Sequence, residues 1–396
     1  MSIVKFDWKE MPPANCRGGA VSFGNFDGVH RGHAALFREL IQRARALQVP
    51  AIAVTFDPHP LQLLRPEQFQ PVLTTVADRA DLIQAQGVDH VLVLQTTPEL
   101  LQLSAEEFFE HVVSSRLAAR ALVEGVNFGF GRQRQGTVDT LREFCGRSGV
   151  ELTVVPPFMT EEGTVVSSSR VRVALVQGDI RAATRLLGRP YRLRGLVGHG
   201  QKRGRTIGFP TANLEHIETL IPGNGVYAVR AWHNNVAWPA AANIGPNPTF
   251  GESAHKVEVH LIGFDGDLIG QSLAVDFVDR LRETRTFAGV EALTDQLKKD
   301  VEAARRIVGE LSSRIDDHAG SDLRSRVTRF LREDVAPVLQ MDDRDVHLLE
   351  LENGVARVRI EGGCGGCPSS IMTIILGLEQ ELRRRIPEVE YLKVVP

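Results

Sequence analysis

Two histidines three positions apart, His30 and His33, mark the stretch of this chain in which chemistry is most concentrated. The stretch reads Gly24-Asn-Phe-Asp-Gly-Val-His-Arg-Gly-His33 and lies between an apolar run, 20–23, and an amphipathic segment, 34–47. This order predicts a strand, a glycine-rich turn and a helix, whose N-terminus favours phosphate. The imidazoles can donate hydrogen bonds to phosphate oxygens, and Gly32 lets the backbone approach closely. The spacing indicates a nucleotidyltransferase that attacks the α-phosphate of a nucleoside triphosphate; a glycine-rich turn with two surface histidines is the alternative.

The elements that must hold this turn alternate regularly up to about residue 188. Short apolar runs at 51–56, 90–94, 121–125 and 151–155 are separated by helical patterns. Such alternation predicts a parallel α/β sheet, Rossmann-like, with ligands at the carboxyl ends of its strands. Residues 1–188 are therefore expected to form the first domain.

Two further units follow. Between 191 and 279, short β-rich runs separated by glycine and proline predict a small antiparallel barrel, and a helix at 289–311 ends this second domain, 189–311. Residues 312–321 are polar and are expected to be a linker. Residues 322–396 predict a small α+β unit, in which Asn353-Gly354 indicates the turn of a β-hairpin.

Composition limits the partners. The 396 residues are 43% hydrophobic and 24% charged, as in globular proteins of several domains. A net charge of -3 gives no electrostatic reason to expect nucleic acid. With neither a signal-peptide pattern nor an apolar run of membrane-spanning length, we expect a cytoplasmic protein that does not bind membranes. Cys16 and Cys145 stand alone, so a disulfide framework is not expected.

Four motifs in the first domain resemble the FMN adenylyltransferase domain of the bacterial bifunctional riboflavin kinase/FAD synthetase family. They are 24–33, Thr55-Phe-Asp-Pro-His-Pro60, Gly125-Val-Asn-Phe-Gly-Phe-Gly131 and Val166-Ser-Ser-Ser-Arg-Val-Arg172. The resemblance implies that His30 and His33 hold the ATP phosphates and that Arg172 acts from the far side of the site. The other residues it implies in nucleotide binding are Gly24, Asn25, Asp27, Gly32, Asn127, Ser168 and Ser169. The family usually has threonine where this chain has Ser169, and His59 is either a turn residue or a site residue.

The second domain has no Walker loop, but its segment 204–213, Gly-Arg-Thr-Ile-Gly-Phe-Pro-Thr-Ala-Asn, resembles the riboflavin kinase signature. The resemblance implies that Thr211 and Asn213 are oxygen ligands of Mg²⁺ beside the ATP phosphates. It also implies that Glu258 accepts the proton of the ribityl 5′-hydroxyl as that oxygen attacks the γ-phosphate. A solvent-facing strand glutamate is the alternative for Glu258. Other residues matching the family's substrate-binding positions are Gly204, Arg205, Asn243 and Arg282.

The third unit carries Cys364-Gly-Gly-Cys367 before a predicted helix, a placement that lowers thiol pKa values. Together with Ile386-Pro-Glu-Val389, this segment resembles the C-terminal domain of NifU-type iron–sulfur scaffolds. Two thiolates cannot complete the usual four-cysteine ligation of a cluster. The resemblance therefore implies a cluster bridged between two chains, a homodimer, and iron–sulfur acceptor proteins as partners. Zinc bound across a dimer and a dithiol switch are alternatives.

The predicted function is flavin cofactor synthesis. Riboflavin and ATP would give FMN in the second domain, FMN and ATP would give FAD in the first, and the third would bind or deliver an iron–sulfur cluster. A flavin-binding regulator with decayed catalytic sites is an alternative. An adenylyltransferase for another phosphorylated cofactor is a second one.

Overall fold

A computed structural model of the chain describes residues 3–200, 204, 207–234, 236–246, 256–318, 327–328, 330–331, 344–352, 355–362, 382, 386, 389 and 391–394. The chain divides into two compact units, Met1–Val308 and Gly309–Pro396. None of the helices within the described residues is both long enough and apolar enough to cross a membrane.

The first domain is built on six parallel strands. They are β1 (Val4–Phe6), β2 (Ala20–Phe23), β3 (Ala51–Asp57), β4 (His90–Gln95), β5 (Ala121–Gly125) and β6 (Glu151–Val155). Their order in the sheet is β1-β4-β3-β2-β5-β6. The central strands are apolar and buried because helices cover both faces, as parallel sheets require. The predicted parallel sheet is confirmed, and its order reverses between β2 and β5, where such sheets open a ligand crevice.

Eight helices accompany this sheet in the described residues. They are α1 (Arg31–Leu47), α2 (Pro60–Leu64), α3 (Val76–Gln84), α4 (Pro98–Gln102), α5 (Ala105–Phe108, continued by a π-helical segment Phe109–Arg116), α6 (Val138–Ser148), α7 (Ser168–Val176) and α8 (Ile180–Leu187). Helix α1 buries Leu36, Phe37 and Leu40 against the sheet. It begins three residues earlier than its apolar periodicity predicts, because the His30 side chain caps its first turn.

The second domain is a closed barrel of six antiparallel strands, which confirms the predicted architecture. They are β7 (Tyr191–Gly198), β8 (Ala212–Glu215), β9 (Gly225–His233), β10 (Val236–Gly245), β11 (Lys256–Leu261) and β12 (Ser272–Arg282), in the order β10-β11-β8-β7-β12-β9. Buried and accessible residues alternate along β7 and β11, as the two-residue period of a barrel wall requires.

One hydrophobic core runs from the end of the first domain into the barrel. Leu175 of α7 and Leu186 of α8 belong to the same buried cluster as Tyr227 and Phe277 of the barrel. An ion pair follows the same path, since Arg181 of α8 donates to Asp279 of β12 at 3.0 Å. The two domains therefore pack together through apolar contact.

Helix α9 (Val290–His318) packs on the barrel and is longer than predicted. Arg282 of β12 forms a forked pair with Asp300 of α9, with its Nη2 2.7 Å from the carboxylate. The helix continues through 312–318, which the polar composition had indicated as linker. Residues 312–318 contain no glycine or proline, so nothing in this segment stops a helix.

The C-terminal unit contains a three-stranded sheet. Its strands are β13 (Arg344–Glu352), β14 (Val355–Gly362) and β15 (Tyr391–Val394), with β13–β14 antiparallel and β14–β15 parallel. The pairing of Glu352 with Val355 confirms the predicted hairpin, although Asn353 and Gly354 lie outside the described residues. Ile386 and Val389 join its buried core. Cys364, Cys367 and the helix predicted after them also lie outside the described residues.

Candidate active sites

The two histidines of the glycine-rich turn lie face to face. The rings of His30 and His33 are stacked, with centroids 3.6 Å apart and planes 15° apart. The Nδ1 atom of His30 accepts the backbone N–H of His33 at 3.3 Å, which caps α1. A Cβ atom on Gly32 would lie 3.0 Å from the His30 ring, so a side chain there would push the ring out of its present position. The structure thus brings together the pair that the sequence singled out.

The turn that carries this pair is strained. Phe26 and Val29 have φ of 44° and 39°, a region that side-chain-bearing residues rarely adopt. Each such residue costs roughly 1–3 kcal/mol, so surrounding contacts must hold the conformation.

The buried carboxylate of Asp27 is one such contact. Its oxygens accept the backbone N–H groups of Leu73 at 2.9 Å and Thr74 at 3.1 Å. The guanidinium of Arg172 donates to the same carboxylate. Asp27, which the resemblance assigns to nucleotide binding, therefore serves here as an acceptor for groups of the protein itself.

Helix α7 brings the last motif of the first domain to the turn. The Ser168 hydroxyl donates to the backbone oxygen of Asp27 at 2.9 Å, and the Arg172 Nε donates to the backbone oxygen of Pro71 at 3.2 Å. Ser167 caps the helix, while Ser169 is exposed. The motifs at 24–33 and 166–172 therefore lie in contact, although about 140 residues separate them.

Arg79 is a buried residue of this cluster that the sequence did not single out. Its side chain is only 2% exposed; it donates to the Thr55 hydroxyl at 3.1 Å, and a guanidinium nitrogen lies 3.7 Å from Asp27. The Thr55 hydroxyl donates in turn to the backbone oxygen of Asn25 at 3.1 Å. An arginine on an amphipathic helix reads as a surface residue in a sequence, so no local signal marks it.

Burial keeps the imidazoles of this site uncharged. Desolvation lowers the pKa of His30 to about 4 and that of His33 well below its usual range. The same effect lowers the pKa of His59 to about 4. The histidine pair is therefore neutral near pH 7, and the positive charges beside it belong to Arg79 and Arg189.

A buried glutamate bridges the two strands at the point where the sheet order reverses. The main-chain pairing of β2 with β5 ends at Val21 and Leu122, and the Glu124 carboxyl accepts the N–H of Phe23 at 2.8 Å. Burial raises the pKa of Glu124 well above its usual range. This carboxyl takes the place of a main-chain acceptor beside Gly24.

Asn127 and His59 lie at other strand ends of the same sheet. Asn127 follows β5 and is exposed, and its backbone oxygen accepts a hydrogen bond from Arg134 at 2.9 Å. His59 follows β3 and caps α2 through its Nδ1, which accepts the N–H of Leu61 at 3.1 Å. His59 is therefore a turn residue in this structure, one of the two roles that the sequence left open.

A second group of polar residues forms a row across three strands of the barrel. Glu258 of β11 is paired in register with Asn213 of β8 on one side and with Asn243 of β10 on the other. Residues paired across antiparallel strands share one face of the sheet. Val257 and Val259 are buried, so Glu258 lies on the opposite face from the core valines. The row joins the predicted catalytic carboxylate to a predicted metal ligand.

Glycines bring the preceding loop close to this row. A Cβ atom on Gly200 would fall 2.1 Å from the Asn213 amide nitrogen, and one on Gly204 would fall 3.4 Å from the Thr211 hydroxyl. His260 holds the strand end from the other side, with its Nδ1 2.7 Å from the backbone oxygen of Pro210. Neutral oxygen donors beneath a close glycine loop fit Mg²⁺ that also binds phosphate oxygens.

Two further residues of the sequence analysis lie differently or cannot be placed. The forked pair of Arg282 with Asp300 makes Arg282 an anchor for α9 in this structure. Arg205 lies outside the described residues. Within the described residues, no group of three or more His, Cys, Asp or Glu side chains is placed to hold a metal ion.

Family models match three parts of the chain. The model of FAD synthetase matches residues 13–170, that of riboflavin kinase matches 187–308, and that of the NifU-like domain matches 327–393.

Named relatives match about three quarters of this chain. A bifunctional riboflavin kinase/FMN adenylyltransferase from Pseudomonas fluorescens is 41% identical over 300 residues, which are 75% of this chain and 96% of the relative. Proteins of the same name from Bacillus subtilis and Escherichia coli K12 are each 34% identical, over 74% of this chain and 93% of the relative.

A solved structure shares the fold over about three quarters of this chain. It is the crystal structure of a protein from Streptococcus pneumoniae described as a macrolide-efflux protein. It superimposes with a TM-score of 0.68 at 32% identity and covers 76% of this chain and 99% of its own.

The lowered pKa of His30 gives a direct test of the electrostatics. In protein labelled with ¹³C-histidine, the resonance that disappears in His30→Asn should keep its chemical shift from about pH 5 to pH 8. The neutral form persists there because the pKa is about 4. A midpoint close to that of an exposed histidine would contradict the buried, uncharged pair.

Proposed function

The chain belongs to the bifunctional riboflavin kinase/FMN adenylyltransferase family, and on that premise we propose that its two clusters of site residues are the two catalytic sites. Residues 189–311 phosphorylate riboflavin to FMN, and residues 1–188 adenylylate FMN to FAD. The proposal rests on one observation. Residues that the family motifs group together, though distant in sequence, also lie together in space, at two separate places.

In the barrel, Glu258 acts as the general base. It accepts the proton of the ribityl 5′-hydroxyl as that oxygen bonds to the γ-phosphorus of ATP and the bond to the β-phosphate oxygen breaks, releasing ADP. The register of Glu258 with Asn213 places this base beside the phosphate-binding loop. Gly204 and Asn243 complete the surroundings of the reacting groups.

Thr211 and Asn213 are the residues that would hold Mg²⁺. The ion would neutralise charge on the ATP phosphates when bound. A Cβ atom on Gly200 would fall 2.1 Å from the Asn213 amide nitrogen, so the loop backbone lies directly against this side chain.

In the first domain, the acceptor needs no base. An FMN phosphate oxygen bonds to the α-phosphorus of ATP, the bond to the β-phosphate breaks, and pyrophosphate leaves. The nucleophile is already ionised, so the protein's task is to bind, orient and stabilise developing charge. His30 and His33 donate hydrogen bonds as neutral imidazoles, and Arg172 supplies a planar cation at the N-terminus of α7.

Asn25 and Asn127 flank this site at the ends of β2 and β5, where they can orient the reacting phosphates. Ser168 and Ser169 stand at the opposite wall, where Ser168 ties α7 to the turn. Gly24 and Gly32 keep the backbone close to the nucleotide, and Asp27 supports Arg172 from behind.

For the C-terminal unit, residues 322–396, we propose an iron–sulfur scaffold. The match of residues 327–393 to the NifU-like domain supports this assignment. Cys364 and Cys367 supply two thiolates per chain, so a four-cysteine site needs a second copy of the chain. The cluster is cargo to be passed to an acceptor protein.

Variants in each site test whether the two reactions take place at two separate sites. His33→Ala should remove FAD formation from FMN while leaving FMN formation from riboflavin, because His33 lies only in the first site. Glu258→Ala should do the reverse. Each loss should be about 100-fold or more, since each variant removes a group that acts on the transition state. Chromatography of flavins after incubation with ATP and Mg²⁺ measures both rates.

Glu302→Ala, on the exposed side of α9, is the matched control and should retain both activities. If either active-site variant removed both activities equally in folded protein, the assignment of two sites would be wrong. Absence of both products from the unaltered chain would refute the enzyme itself. Tight flavin binding without turnover would favour a regulator with decayed sites.

Anaerobic reconstitution tests the C-terminal unit. With iron and sulfide, the full chain should gain a broad absorption band in the violet that is lost in Cys364→Ser and Cys367→Ser. Cys145→Ser is the control, because Cys145 is buried in the first domain. Zinc binding without this band would instead indicate a structural metal site, and a reversible dithiol without metal would indicate a redox switch.

A further inference from the structure

Arg189 reaches from the joint between the two domains into the turn that carries the histidine pair. Its Nη1 donates to the backbone oxygen of Val29 at 2.9 Å and its Nη2 donates to that of Gly28 at 2.6 Å. These two carbonyls directly precede His30. Arg189 lies within the stretch matched by the riboflavin kinase model, 187–308, and outside that matched by FAD synthetase, 13–170.

The backbone on either side of Arg189 is held firmly. On one side, Gly188 ends α8 with φ of 79° and donates its N–H to the backbone oxygen of Thr184 at 2.7 Å. On the other side, Tyr191 begins β7, is only 3% exposed, and donates its hydroxyl to the backbone oxygen of Leu220 at 2.7 Å. The barrel therefore presents the guanidinium at a fixed position.

The turn needs such a tie because Val29 is strained. Its φ of 39° is unfavourable for a β-branched residue, and relaxation would rotate the carbonyls of Gly28 and Val29. A guanidinium is a rigid planar fork, so two bonds from one group to consecutive carbonyls fix both orientations at once. His30 follows immediately, and its ring both caps α1 and stacks on His33.

We propose that Arg189 is a positioning residue of the adenylylation site, supplied to the first domain by the segment that begins the second. It holds the Gly28–Val29 carbonyls and thereby sets the place of His30 and His33 against the ATP phosphates. The inference rests on the function proposed for that site. FAD formation in the first domain therefore depends on how the barrel packs against that domain, although the two catalytic sites are separate.

The electrostatic surroundings agree with this role. Burial lowers the pKa of Arg189 to about 10, and the carboxylates of Asp276 and Asp78 act in the opposite direction. The guanidinium therefore remains protonated at neutral pH and keeps all its donors. Its charge also opposes protonation of His30.

Arg194 provides a matched control because it crosses the same boundary without reaching the turn. It lies on β7, five residues after Arg189, and its Nε donates to Asp78 of α3 at 2.7 Å. Its side chain is more exposed and ends on the partly buried carboxylate of Asp78. Loss of this arginine removes an interdomain ion pair but leaves the Gly28–Val29 carbonyls untouched.

The test compares Arg189→Met, Arg189→Lys and Arg194→Met in the full chain. For each, kcat and KM are measured separately for FMN adenylylation and for riboflavin phosphorylation. Arg189→Met should lower kcat of adenylylation about 10- to 100-fold, with a smaller change in KM, because a misplaced group costs most in the transition state. Phosphorylation should be unchanged. Arg189→Lys should recover part of the loss, and Arg194→Met should retain both activities.

Unchanged adenylylation in Arg189→Met would overturn the proposal, as would equal loss of both activities in a folded protein. If Arg189→Met does not fold, Arg189→Lys decides by the same criterion: adenylylation lowered with phosphorylation retained supports the role, and equal effects overturn it. Failure of the unaltered chain to make FAD would instead count against the function of the site itself.

Discussion

The residues proposed for the adenylylation site meet around a buried carboxylate. Asp27 stands in the strained turn between β2 and α1, and its oxygens accept backbone N–H groups of Leu73 and Thr74 together with the guanidinium of Arg172. A second buried arginine, Arg79, lies 3.7 Å away. Breaking such a buried pair from one side typically costs about 3–5 kcal/mol, because the remaining charge is left unpaired. Asp27 belongs to the motif at 24–33, and its carboxylate binds the motif at 166–172 through Arg172.

The two domains of the first unit share one hydrophobic core beside this site. The core is continuous from Leu175 and Leu186 to Phe277. Arg189, just before the first strand of the barrel, donates to the two backbone oxygens that precede His30. The polar row of Asn213, Glu258 and Asn243 in the barrel is different, since regular antiparallel register alone aligns these residues. One site is thus assembled by long-range charge and packing, and the other by the geometry of a sheet.

This contrast explains what the sequence could predict. The strands of both domains, the hairpin at 344–362 and the grouping of the motifs follow from periodicity and resemblance, and the structure agrees with them. Arg79, Arg189 and Glu124 were not predicted, because burial of a charged residue depends on partners 50 to 160 positions away that no local pattern reveals. Arg282 is predicted to bind substrate from its motif, and its pair with Asp300 was not predicted. Helix α9 extends beyond its predicted end because polar composition does not by itself stop a helix.

The most direct measurement is the rate of FAD formation from FMN and ATP in Asp27→Asn, with riboflavin phosphorylation measured on the same preparation. The amide keeps the shape of the side chain but removes the charge that holds Arg172. Adenylylation should fall about 100-fold while phosphorylation is unchanged, because a displaced Arg172 affects only the first site. FAD formation at the rate of the unaltered chain would show that the charge of Asp27 does not hold the site together.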